Sequence, residues 1–181
     1  MNLPSIRNPW PLHPVLSILL MAGLCLAQST VMPYARLGFA EPLLPLLAVV
    51  SWAMLLGPLA GAWWAIVAGL IMDVLSPARI GAYSLPLLIV VGMVFLARGR
   101  MFANNVFLPA LLVAAATVVF DLAQRSVLAA GGRYVGWQPG ALAEEMVPLL
   151  LLNLLWLPVI YFPLRALARQ LERPRIEWER R

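Results

Sequence analysis

The chain has 181 residues, of which 62% are hydrophobic and 12% are charged, and its mean hydropathy is +0.87. A soluble domain typically carries about 25% charged residues, so this composition excludes an ordinary water-soluble globule. The length suits one domain. Long apolar runs separated by short arginine clusters predict an all-α integral membrane protein.

The positive charge is carried by 13 arginines, without a single lysine, against eight acidic residues. A basic face with interleaved aromatic residues, which would indicate nucleic-acid binding, is absent from the sequence. Arginines beside an anionic membrane leaflet explain the excess better, so the lipid bilayer is the expected partner and nucleic acid is not. One histidine and one cysteine cannot close a four-ligand metal site, and we expect no metal or cofactor.

Six apolar segments follow one another along the chain. About 20 helical residues cross a hydrocarbon core of about 30 Å. The run from Leu43 to Met72 is broken only at Gly57-Pro58, a pair that ends one helix and lets proline open the next, so it predicts a hairpin of two short helices. The predicted spans are residues 13–30, 42–56, 58–75, 82–97, 106–128 and 142–164.

Arginine placement predicts the topology of this six-helix bundle. With both termini cytoplasmic, most arginines fall on the inner side, as the positive-inside rule requires, whereas five spans would misplace one cluster. Cys25-Leu26-Ala27 resembles a signal cleavage site, but we favour a retained first helix. The expected organisation is one polytopic domain over 1–181, with a cytoplasmic tail (1–11), the bundle (12–164) and an Arg/Glu-rich cytoplasmic tail (165–181).

Asp73 and Asp121 are the acidic residues deep inside the predicted spans, whereas Glu144 and Glu145 lie near the outer rim. A carboxylate at mid-bilayer costs at least about 2.5 kcal/mol and needs a partner. Both lie about 22 Å from the inner ends of spans three and five, at one depth. Arg125 follows Asp121 by one helical turn, and Arg79 lies near the same outer rim. We expect Asp73, Asp121, Arg125 and Arg79 to form one polar cluster between neighbouring spans three and five.

Three roles stay open for this cluster: a polar clamp between helices, an outward docking or ligand site, and a catalytic carboxylate pair. A serine–histidine mechanism would need His13, which lies at the opposite end of the bundle. Nothing around the two aspartates resembles the motifs of lipoprotein signal peptidases. We therefore expect no catalytic residues. Asn153 and Gln28 can bond to backbone groups or neighbouring side chains.

Small residues recur every four positions along span three, ahead of Asp73: Gly57, Gly61, Ala65 and Gly69. This spacing lets another helix approach backbone to backbone, which is the main source of packing energy in lipid. We favour close packing inside the bundle, with an intermolecular interface as the alternative.

The stretch GPLAGAWWAIVAGLIMDVLSPARIGAYSLP, residues 57–86, resembles the signature region of the rod shape-determining MreD family. Gly69, Asp73, Pro77 and Gly81 match that region in order. The resemblance implies a non-enzymatic component of the bacterial elongation machinery in the inner membrane. Its implied partners are the single-span protein MreC, RodA, a class B penicillin-binding transpeptidase and the MreB cytoskeleton, with a role in regulating peptidoglycan synthesis and cell shape.

The MreD family is also similar to the substrate-binding subunits of energy-coupling-factor transporters, which suggests a vitamin-type substrate-capture subunit as the alternative. The predicted outer loops are short and offer few polar groups, which favours protein docking. We expect the partner helix to use a lipid-facing groove, and spans three and four are the first candidates.

Overall fold

Six α-helices make up the regular structure of the described part of the chain. The computed structural model describes residues 14–36, 40–78, 80–101, 107–132 and 139–171. Its helices are α1 (Pro14–Thr30), α2 (Leu44–Leu56), α3 (Pro58–Leu75), α4 (Ser84–Met101), α5 (Phe107–Ala130) and α6 (Pro139–Leu171), with a short 3₁₀ helix at Met32–Ala35. The prediction of six helical segments is confirmed.

Three of the helical segments are long and apolar enough to cross a membrane: Pro58–Leu75, Pro109–Ala130 and Glu144–Leu171. Three further apolar helices are shorter: Pro14–Thr30, Leu44–Leu56 and Ser84–Ala97. Helices of this composition belong in a bilayer. Six complete crossings and cytoplasmic termini stay predictions.

Gly57 separates α2 from α3, as the sequence predicts. Its φ of 115° favours glycine, and Pro58 opens the next helix. The two helices pack closely, since a Cβ on Gly61 would lie 2.4 Å from the Cβ of Ala53. Trp52 and Trp64 stack across the same hairpin with ring centroids 4.1 Å apart. The hairpin is thus tied by a close backbone approach and an aromatic pair.

Helix α2 forms the centre of the bundle. Every residue from Leu44 to Met54 is buried, and the helix packs against α1, α3, α4, α5 and α6. A helix that is apolar on all sides must be covered on all sides by protein or by lipid. Here the covering is protein, which explains how a helix of 13 residues lies inside the fold.

Helices α3 and α5 are not neighbours in the described structure, so that prediction is wrong. Helix α3 packs against α1, α2 and α4, while α5 packs against α2, α4 and α6. The residues of α3 and α5 that make interhelical contacts therefore face different neighbours. Gly61 and Gly69 of α3 face α2 and α4, whereas Thr117 of α5 bonds to Asn153 of α6.

Helix α6 is longer than the predicted span. It runs through three internal prolines to Leu171, so residues 165–171 of the predicted tail are helical. Leu164 and Ala168 are buried, and this packing stabilises the helix beyond residue 164. The predicted tail segments 1–11 and 172–181 lie outside the described residues.

Candidate functional site

Asp73 sits two residues before the end of α3 and is 4% exposed. Its Oδ1 accepts a hydrogen bond of 2.7 Å from the backbone N–H of Tyr83. Its Oδ2 accepts bonds of 2.8 Å from the N–H of Gly81 and 2.7 Å from the hydroxyl of Ser84. Both carboxylate oxygens therefore bind the start of α4.

The local sequence explains this geometry. Ser76 ends α3 in an extended conformation, and Gly81 turns the chain back with a φ of 99°. The first N–H groups of a helix have no intrahelical acceptor, and the helix dipole favours negative charge there. Asp73 supplies the acceptor and the charge from a neighbouring helix. We call Gly69, Asp73, Gly81 and Ser84 the α3–α4 junction.

Gly69 makes this junction possible. A Cβ at this position would lie 2.3 Å from the Cα of Ser84 and 2.9 Å from its backbone nitrogen. No side chain fits at that separation, so the start of α4 rests directly on the backbone of α3. The family-motif residues Gly69, Asp73 and Gly81 thus meet at one place, while Pro77 is exposed in the connecting loop. Ser84 was missed by the sequence analysis, and its position before an apolar run is the signal that marks a helix start.

A second polar contact joins α5 to α6. Arg125 donates through Nε to Asp121 Oδ2 at 2.6 Å, which confirms the predicted pair one turn apart. Arg125 also donates through Nη2 to Glu145 of α6. We call these three residues the α5–α6 triad.

The prediction of a single four-residue polar cluster is wrong for the part of the chain that the structure describes. Asp73 binds the start of α4, whereas Asp121 belongs to the α5–α6 triad, and α3 does not pack against α5. The two acids lie at similar distances from the starts of their helices, but these helices do not pack against each other. Arg79 lies outside the described residues.

A third set of polar side chains surrounds the start of α2. The N–H of Leu43 donates to Asn153 Oδ1 and that of Leu44 to Gln28 Oε1, both at 2.8 Å. The Asn153 amide in turn donates to the hydroxyl of Thr117 at 2.9 Å. Buried N–H groups in lipid need such acceptors. Side chains from α1, α5 and α6 thus fix the first turn of the central helix.

These contacts determine what the site can do chemically. A catalytic carboxylate pair needs two acids close enough to share a proton. Asp73 and Asp121 instead have separate partners on different helices. Within the described ranges, no group of three or more His, Cys, Asp or Glu residues could hold a metal ion. These polar side chains act as clamps: each set joins one helix to another by hydrogen bonds or ion pairs.

A bundle of apolar helices, whose buried polar groups join one helix to another, defines the class of polytopic helical membrane proteins. Within this class the chain belongs to the MreD family: the family model described as rod shape-determining protein MreD matches residues 12–171. The match confirms the resemblance seen in the sequence and assigns the chain a role in rod-shape determination. No significant match is found among curated proteins or among solved structures.

Proposed function

We propose that the protein is a non-enzymatic scaffold of the bacterial cell-elongation machinery, embedded in the inner membrane with both termini cytoplasmic. In this role it binds the single-span protein MreC and supports RodA, a class B penicillin-binding transpeptidase, the MreB cytoskeleton and regulated peptidoglycan synthesis. Family membership supports the role in cell shape. The clamps at Asp73, Arg125 and Asn153 support a rigid body onto which other helices dock.

The lipid-facing side of α4 is the docking surface that we propose for the MreC helix. Leu85, Ile89, Gly92 and Leu96 follow at helical spacing and are all exposed. A Cβ on Gly92 would meet nothing within 4 Å, unlike one on Gly61 or Gly69.

The exposed position of Gly92 is the main reason for choosing this surface. A glycine inside a helix costs about 1 kcal/mol relative to alanine. An added Cβ at Gly92 has open space, so packing within the described bundle does not require glycine at this position. In lipid, a small residue on an outward face lets a second helix approach closely. A notch flanked by Ile89 and Leu96 suits a single transmembrane helix.

Co-purification from native membranes tests the proposal. We expect MreC to be retained by the wild type and lost from Gly92→Leu, because the leucine side chain fills the notch and its Cβ meets nothing within 4 Å. Gly23→Leu is the matched control, since Gly23 of α1 is also exposed with nothing within 4 Å of an added Cβ. It should retain MreC, and both variants should elute as folded protein.

Three outcomes would contradict parts of the proposal. Failure of the wild type to retain MreC would contradict the partnership itself. Loss from Gly23→Leu alone would move the docking surface from α4 to α1. Saturable binding of a vitamin-type small molecule by the purified protein would favour the substrate-capture subunit instead.

A further inference from the structure

The acids of the described chain lie towards one end of the bundle, together with Arg36 and Arg125, which pair with them, and two further arginines lie at the other end. Short connections make successive helices alternate in direction, so the last turns of α4 and α6 lie at one end. We call it the arginine end, and its described side chains are those of Arg165 and Arg169 of α6. The acids of the described residues lie towards the other end: Glu41, Asp73, Asp121, Glu144 and Glu145.

Exposed apolar side chains on one face of α6 form a strip that extends to the arginine end. Leu151, Leu155 and Phe162 are 61%, 70% and 60% exposed. Arg165 and Arg169 are exposed as well and continue the same helical face at spacings of three and four residues. The strip from Leu151 to Phe162 is about 16 Å long. One leaflet of a bilayer has about 15 Å of hydrocarbon, half of the whole core.

Arg165 and Arg169 are exposed and have no acidic partner among the described residues. Within the described ranges, the ion pairs involve Arg36 and Arg125, and no acid lies within ion-pair distance of Arg165 or Arg169. The guanidinium carbon of Arg165 lies 6.0 Å from the centre of the Tyr161 ring. A guanidinium group binds phosphate oxygens through two parallel hydrogen bonds.

We propose that the arginine end binds the phosphate headgroups of anionic phospholipids, with an acyl chain along the apolar strip of α6. Charge complementarity selects an anion, and the strip of Leu151, Leu155 and Phe162 selects a molecule that carries an apolar chain on that anion. An acidic protein segment would match the arginines but would leave the strip without a role. A phospholipid matches both.

Native mass spectrometry of the purified full chain tests the proposal, with phosphatidylglycerol and phosphatidylcholine added in equal amounts. We expect the wild type to prefer phosphatidylglycerol. An arginine near an anionic surface contributes about fivefold in affinity, so Arg165→Gln/Arg169→Gln should lower the preference by up to about 30-fold. Arg165→Lys/Arg169→Lys keeps the charge and should keep most of the preference.

Arg36→Gln is the matched control, because Arg36 is an exposed arginine that pairs with Glu41 at the opposite end of the bundle. It should leave the lipid preference unchanged. Equal binding of both lipids by the wild type would overturn the proposal and leave the arginine end to an acidic protein. An unchanged preference in the folded Arg165→Gln/Arg169→Gln variant would overturn it too. Neither result depends on MreC.

Discussion

The carboxylate of Asp73 accepts a 2.7 Å hydrogen bond from the hydroxyl of Ser84, whose Cα lies 2.3 Å from where a Cβ on Gly69 would stand. One residue at the start of α4 is therefore held both by an acid and by a glycine of α3. The acid fixes the orientation of the helix start, and the glycine fixes how closely it approaches. Two of the four positions of the family motif, Gly69 and Asp73, therefore contact the same residue.

Asp73→Ala should lower thermal stability and weaken complex formation together. The change removes the acceptor of two backbone N–H groups and one hydroxyl in a buried site. An unsatisfied buried donor costs about 1–3 kcal/mol, so the loss should be clear in thermal unfolding in detergent. MreC retention is measured on the same preparation.

Glu144→Gln is the control for this measurement, because Glu144 is an exposed acid in the second turn of α6. It should leave the unfolding temperature unchanged. Full stability of Asp73→Ala with loss of MreC would show that Asp73 contacts the partner directly and would contradict a structural role. Full stability with MreC retained would contradict the importance of the α3–α4 junction.

Gly69→Ala should destabilise the protein, whereas Gly92→Ala should not. The new methyl group at residue 69 meets backbone atoms of Ser84, which cannot move without displacing α4. Overpacking of this kind costs about 1–3 kcal/mol. The methyl group at residue 92 enters open space. Folded yield and thermal unfolding of the two variants provide the comparison, and equal stability would contradict the close helix approach.

The sequence predicts the helices of this fold well because each signal is local. Gly57-Pro58 marks the break between α2 and α3 whatever surrounds it. The extension of α6 to Leu171 depends instead on the burial of Leu164 and Ala168 by other helices. Such packing has no local signature, because arginines after residue 164 indicate the end of a span but not the end of a helix.

The candidate site is predicted in part for the same reason. The pairing of Asp121 with Arg125 follows from helical spacing and is confirmed. The separation of Asp73 from Asp121 could not be predicted, because equal depth in a membrane does not say which helices are adjacent. The partner of Asp73 is the start of the next helix, a contact eight to eleven residues away that a search for oppositely charged side chains overlooks.

Asn153→Ala should cost more stability than Thr117→Val. Asn153 accepts from the N–H of Leu43 and donates to Thr117, so its loss leaves that N–H without its acceptor, while the hydroxyl of Thr117 still donates to the carbonyl of Val113. Thr117→Val removes the bonds to Asn153 and to the carbonyl of Val113, but it leaves the N–H of Leu43 bonded to Asn153 and keeps the shape of the side chain. A double-mutant cycle on thermal unfolding should give a coupling of about 0.6 kcal/mol, the average for hydrogen bonds between helices in membranes. A coupling of zero would contradict the bond between the two side chains.

Arg125→Gln should destabilise the contact between α5 and α6, and removal of the acids should restore part of the loss. The side chains of Arg125 and Asp121 are 15% and 14% exposed, so loss of the guanidinium leaves a largely buried carboxylate close to that of Glu145. Breaking a buried ion pair costs more than replacing both partners by neutral groups. Arg125→Gln/Asp121→Asn/Glu145→Gln should therefore unfold at a higher temperature than Arg125→Gln. Arg36→Gln, which breaks an exposed pair, should change the unfolding temperature little. A triple variant less stable than Arg125→Gln would contradict the α5–α6 triad as an electrostatic clamp.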